Sequence, residues 1–149
     1  GEVGGFNLKK EISGPSATDF PADTVFKVTA SWSIGEGEDK EDISREYSLP
    51  VNGTVVPGPQ DLPVGTVVTF SEPEAPALAG YTFEKVSFSP ETVTIGANEN
   101  KAVVATNTYK EGGLAVTGMD AAGPILAGAL LLLAGGVALA ISRRKRKAE

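Results

Sequence analysis

Strand alternation points three polar side chains, Lys10, Glu72 and Asn107, toward a protein core. Phe6, Leu8, Lys10 and Ile12 share one face of a first apolar run, which leaves Lys9 to solvent. Thr66, Val68, Phe70 and Glu72 share a face of a second run, and Val103, Ala105, Asn107 and Tyr109 share a face of a third. Buried singly, each polar group is costly; buried together they satisfy one another. Desolvation lowers a Lys pKa and raises a Glu pKa, so in an apolar site both can be neutral. A neutral amine is a nucleophile and an ammonium is not. The plainer alternative also stands: Lys10 snorkels from an edge strand, Glu72 ends its strand in solvent, and Asn107 caps a turn.

Other chemistry is mostly excluded. The 149 residues contain no Cys and no His, which rules out a thiol nucleophile, a histidine base, a Cys/His zinc site and any disulfide. Glu36-Gly37-Glu38-Asp39-Lys40-Glu41-Asp42 is acidic but lacks EF-hand spacing, and reads as a solvated loop. No pair of carboxylates is marked for glycoside hydrolysis, and the domain is small for a substrate cleft. No catalytic residue, metal or cofactor is expected, and the chain does not read as an enzyme.

The elements that must position the trio are strands. Short runs rich in Val, Phe, Thr and Tyr alternate with Gly, Pro, Asn and Asp punctuation. Strands are expected at 6–13, 24–33, 46–51, 54–56, 66–72, 81–89, 92–95 and 101–109. Asn52-Gly53 reads as a type I′ hairpin turn and, with Thr54, also spells a glycosylation sequon. Trp32 shares a face with Phe26, Val28 and Ala30, so it belongs to the core. About 110 residues suffice for one modest domain, and the strand spacing suggests a β-sandwich.

These segments resemble a repeat domain of actinobacterial surface proteins. The resemblance lies in Gly5-Phe6-Asn7-Leu8-Lys9-Lys10, in Leu62-Pro63-Val64-Gly65-Thr66 continuing to Glu72, and in Ala105-Thr106-Asn107-Thr108-Tyr109. That family is similar to the B-type domains of collagen adhesins. The resemblance implies an all-β, transthyretin- or immunoglobulin-like sandwich of about seven or eight strands. It also implies a covalent isopeptide bond between Lys10 and Asn107, assisted by Glu72. Relatives carry a Cys pair near Ser33 and Val68, and this chain has neither Cys.

The last forty residues have a different character. Residues 121–142 hold no charge and are rich in Leu, Ala, Val and Ile. As a helix of 22 residues they would extend roughly 33 Å, enough to cross a hydrocarbon core of about 30 Å. Arg143, Arg144, Lys145, Arg146 and Lys147 follow, and place the tail in the cytoplasm with residues 1–120 outside. The outer part carries 18 acidic and 8 basic side chains, so its net charge is 8 − 18 = −10. That balance argues against nucleic-acid binding.

Leu114-Ala115-Val116-Thr117-Gly118, the apolar span and the basic tail resemble, in that order, the sorting signal of Gram-positive wall proteins. Ala115 stands where the common form has Pro, which is similar to the LAxTG signals of class E sortases. The resemblance implies cleavage after Thr117 and joining of its carboxyl to an amine of the peptidoglycan precursor. The expected organisation is a β-sandwich over 1–110, a linker with the motif over 111–120, a transmembrane helix over 121–142 and a basic tail over 143–149. The expected partners are a sortase, peptidoglycan precursor, the membrane and, through further N-terminal domains, a host or neighbouring-cell ligand. The expected location is extracellular and wall-anchored, after membrane insertion. Starting Gly1-Glu2-Val3, the chain reads as the C-terminal piece of something longer. A stalk domain with a sorting signal is the favoured reading. A ligand-binding adhesin domain and an unprocessed single-pass membrane protein are the alternatives.

Overall fold

The computed structural model describes residues 1–112. Residues 114–118, 121–142 and 143–147, which carry the sorting motif, the apolar span and the basic run, lie outside them. No helix of the described residues is long and apolar enough to cross a membrane.

Among the described residues nine strands form two sheets. In chain order they are β1 (Val3–Ser13), β2 (Val25–Ile34), β3 (Glu41–Pro50), β4 (Val56–Pro57), β5 (Leu62–Pro63), β6 (Val67–Ser71), β7 (Tyr81–Ser89), β8 (Thr92–Thr94) and β9 (Asn100–Glu111). One sheet runs β4-β1-β9-β7, with β5 also pairing β1; the other runs β3-β2-β6-β8. Gly1–Leu78 and Phe83–Lys110 form one compact unit. Ala79–Thr82 group separately with Glu111 and Gly112, and there the Gly112 N–H donates to the Gly80 carbonyl at 2.9 Å.

The two sheets bury alternate residues against each other, as period-2 patterning requires. Phe6 of β1 meets Trp32, Tyr47 and Phe70 of the opposite sheet edge-on, with ring centroids 6.3, 6.1 and 5.5 Å away. Leu8, Val28, Ala30, Leu49, Val68, Val103 and Ala105 fill the layer around it. Trp32 is core, as its parity requires. The described residues therefore form an all-β sandwich.

The first and last strands are neighbours. β1 and β9 pair in parallel from Gly5↔Asn100 to Ser13↔Thr108. In the other sheet β2 pairs with β3 over its whole length and with β6 around Ala30↔Phe70.

Three expectations need correction. The strand expected at 46–51 begins at Glu41, because the acidic residues read as loop are the start of an edge strand. Charges on an edge strand discourage pairing with another chain, so an apolar pattern is not needed there. Leu62–Pro63 forms a two-residue strand that its length concealed. Asn52-Gly53 is a turn but not a hairpin: Gly53 has φ +86°, Asn52 does not share its positive φ, and β4 pairs with β1 instead of β3. The Asn52 side chain accepts from the Thr54 N–H at 2.9 Å and the Thr54 hydroxyl at 2.7 Å, an Asx-type turn. That local bond redirects the chain away from β3.

Candidate functional site

The strand pairing carries the trio to one place. Ile12 lies opposite Asn107 in the β1–β9 register, and Lys10 lies opposite Ala105. Lys10 therefore stands one diagonal step from Asn107 on the inward face. Across the core, β6 ends at Ser71 and Glu72 continues its inward alternation from Val68 and Phe70. Sequence parity at all three positions holds in the structure.

All three side chains are enclosed. Lys10 is 1% exposed and Asn107 is 0% exposed, and the side chains of Lys10 and Glu72 contact no solvent. Lys10 Nζ donates to Asn107 Oδ1 at 2.5 Å and to Glu72 Oε1 at 2.8 Å. Asn107 Nδ2 donates to Glu72 Oε2 at 2.6 Å. The three groups thus form a closed ring of contacts, in which each satisfies the other two. The alternative in which they snorkel, face solvent and cap a turn does not describe this arrangement.

Burial works against charge at both ionisable members. Desolvation holds the Lys10 amine below its usual range, opposed by the attraction and hydrogen bond of Glu72. Desolvation likewise pushes the Glu72 carboxyl up, opposed by Lys10 and Asn107. Both shifts favour moving one proton from Lys10 to Glu72, leaving an uncharged amine beside an uncharged acid. The Lys10 Nζ also lies 4.7 Å from the Phe26 ring centroid, on its face.

The geometry suits amide exchange. The amine nitrogen touches the carbonyl oxygen of the carboxamide, one bond from the carbon it would attack. Glu72 presents one oxygen to the nitrogen that would lose protons and the other to the nitrogen that would leave. A carboxyl placed between two such nitrogens can carry a proton from the first to the second.

Two contributors escaped the sequence reading. The Phe26 ring under Lys10 was assigned only to the core. Tyr109 was placed on the inward face, but its hydroxyl donates to the Pro76 carbonyl at 2.6 Å, a partner that no local pattern reveals. Burial pushes the Tyr109 hydroxyl pKa up. Among the described residues no group of three or more carboxylates could hold a metal, and Glu36–Asp42 comprises a short 3-10 turn at Gly37–Asp39 and the start of β3 at Glu41.

The solved structures that this chain matches include pilus proteins. The major pilin T3.2 of Streptococcus pyogenes matches at 17% identity and TM-score 0.39, over 72% of this chain and 45% of its own. The pilus-presented adhesin Spy0125 (Cpa) matches at 17% identity and TM-score 0.45, over 71% of this chain and 27% of its own. The major pilin T-13 of Streptococcus pyogenes matches at 13% identity and TM-score 0.36, over 74% and 45%. This chain thus spans less than half the length of each. Among curated proteins none matches. Residues 6–110 match a family described as a domain of unknown function, DUF5979, and the chain belongs to that family.

Proposed function

We propose that the sandwich is a stalk domain of a Gram-positive surface protein, closed by a bond that it makes itself between Lys10 and Asn107. The single observation that carries this reading is the enclosed ring of Lys10, Glu72 and Asn107. Neutral Lys10 Nζ attacks Asn107 Cγ, forming the new C–N bond. Glu72 receives a proton from Lys10 through Oε1 and delivers one through Oε2 to the departing Nδ2. The old C–N bond breaks and ammonia leaves. The product is a secondary amide, and Glu72 ends as it began. Assembly alone supplies the reactants, so no cofactor is needed.

The reading extends to the tail on sequence grounds. Thr117 is the residue at which a class E-like sortase would cut, with 121–142 held in the membrane and 143–147 retaining the chain at the inner leaflet. The Thr117 carboxyl would then join the peptidoglycan precursor. The domain spaces whatever lies N-terminal to it from the wall.

Intact mass tests the cross-link directly. The folded wild-type chain should be lighter than its sequence by one ammonia, and Lys10→Ala or Asn107→Ala should have the full sequence mass. A wild-type chain of full mass would refute the bond.

A further inference from the structure

The segment that carries Glu72 is held in place by a group outside the three reacting side chains. Beyond Ser71 the chain continues Glu72-Pro73-Glu74-Ala75-Pro76, and its two prolines restrict the backbone. Pro73 and Glu74 are exposed, while the Glu72 side chain contacts no solvent. Its enclosure therefore depends on how this segment folds back over the sandwich. Tyr109 lies two residues beyond Asn107 on the same face of β9 and is 3% exposed. Its ring sits edge-on to Phe20 at 5.4 Å and to Phe83 at 5.5 Å, which fixes where its hydroxyl points. That hydroxyl donates to the Pro76 carbonyl at 2.6 Å.

We propose that Tyr109 is a positioning residue for the cross-linking reaction: by tying segment 72–76 to β9, its hydroxyl keeps water from the Glu72 carboxyl. The inference rests on the Lys10–Asn107 bond proposed above. Tyr109 also faces the Asn107 side chain, whose hydrogen bonding opposes the rise in its hydroxyl pKa, but Tyr109 gains and loses no covalent bond in the exchange. Without the tie the segment lifts, the carboxyl meets water and it ionises at a lower pH. An ionised Glu72 starts with no proton for the leaving nitrogen and must first take one from Lys10, which slows the exchange. Lys10 from β1 and Tyr109 from β9 are the titratable groups that face Glu72. On the outer side of the same segment, Lys27 of β2 and Glu46 of β3 line a groove with Pro73, Glu74 and Pro76. Lys27 and Glu46 sit on strands that the tie does not hold, so their charges are the same in the two chains and cancel in a comparison.

The test follows the full chain as it is made by cell-free translation. Samples are stopped in denaturant over time, and the fraction that has lost ammonia is read by intact mass from acidic to alkaline pH. Tyr109→Phe keeps the ring and removes the tie. It should slow bond formation about tenfold or more at neutral pH, a part of what a general acid–base group contributes. The deficit should shrink as pH falls, because acid then protonates the exposed Glu72 in the variant as well. A slowing by the same factor at every pH, or none, overturns the role of Tyr109 while leaving the bond intact. A wild-type chain that keeps its ammonia overturns the bond and this role with it. If Trp32 fluorescence shows that Tyr109→Phe does not fold, the double variant Pro73→Gly/Pro76→Gly slackens the same segment. It should give the same pH-dependent deficit, and a uniform one overturns the proposal.

Discussion

Lys10 and Asn107 are 97 positions apart in sequence, yet Lys10 Nζ lies 2.5 Å from Asn107 Oδ1. The contact exists because the first and last strands of the sandwich run side by side and in parallel. Tension applied at the two ends of the unit would shear this one ladder of hydrogen bonds. A covalent link inside the ladder moves that load from hydrogen bonds to the main chain and one amide.

Removing the link should cost stability in proportion to the loop it closes. In the chain-entropy picture a cross-link over about 100 residues stabilises by roughly 4 to 5 kcal/mol. Lys10→Met removes the amine while keeping an apolar stem. It should unfold at a lower guanidinium concentration by about that free energy. Matching midpoints for variant and wild type would count against a link.

The same variant should show a pH dependence of known sign. Without Lys10, desolvation acts on Glu72 against the Asn107 hydrogen bond only, so its folded pKa stays above the ordinary 4.5. The folded state then binds more protons than the unfolded state, and stability must fall as pH rises. Lys10→Met should therefore be most stable below pH 4.5 and lose stability as pH climbs through the raised Glu72 value. Lys10→Met/Glu72→Gln should lack this slope, as denaturation midpoints across pH will show. An equal slope in both chains would assign it to another group.

Glu72 should govern rate more than final structure. Glu72→Gln keeps the shape and one hydrogen-bond acceptor but cannot take up or pass on a proton. Bond formation should slow by about a hundredfold or more, within the usual range for general acid–base groups. Freshly made variant should have the full sequence mass and lose ammonia only on long incubation, if at all. Wild-type speed in this variant would remove Glu72 from the reaction.

The trio was legible in the sequence because β1, β6 and β9 contain no bulge that changes parity between Phe6 and Lys10, Val68 and Phe70, or Val103 and Asn107. Alternation alone therefore gave the inward side, and the cost of a lone buried charge brought the three together. The first half of β3 was less legible: Glu41 and Asp42 lie on an edge, where charge is compatible with pairing and mimics a loop. The Asn52-Gly53 turn was misread because the pair favours a hairpin, whereas the Asn52 side chain bonds Thr54 and β4 finds β1. The tie from Tyr109 to Pro76 was hidden because it spans 33 positions and ends on a backbone carbonyl, which no residue type announces.

The entry to β1 is a second point where packing leaves little freedom. Gly5 lies against backbone: a Cβ there would collide with the Pro59 carbonyl and with Gln60 Cα. The Gly5 N–H donates to the Glu99 carbonyl at 2.8 Å, so the strand cannot move away without losing its pairing beside β9. Gly5→Ala should destabilise by about 1 to 3 kcal/mol, the usual range for overpacking. By shifting Lys10 along β9 it should also lower the fraction of chain that loses ammonia. Calorimetry and intact mass read the two effects on one sample, and an unchanged melting temperature would sink the argument.

The tail makes a prediction independent of the sandwich. On the proposed reading, an apolar run of 22 residues followed by five cations should halt export with residues 114–118 just beyond the outer leaflet. Glu111-Gly112-Gly113 precedes that motif, and on that reading its glycines would let the motif enter a foreign active site as an extended strand. In its native host the wild-type chain should be released only when the wall is digested, in a range of sizes set by attached wall fragments. Thr117→Ala should instead fractionate with the membrane and dissolve in detergent, as one species that keeps its C-terminal residues. The sandwich should be unaffected, so the variant should still lose ammonia on folding. A Thr117→Ala chain that remains wall-bound would rule out attachment through this motif, while detergent release of the wild type would identify an ordinary membrane anchor.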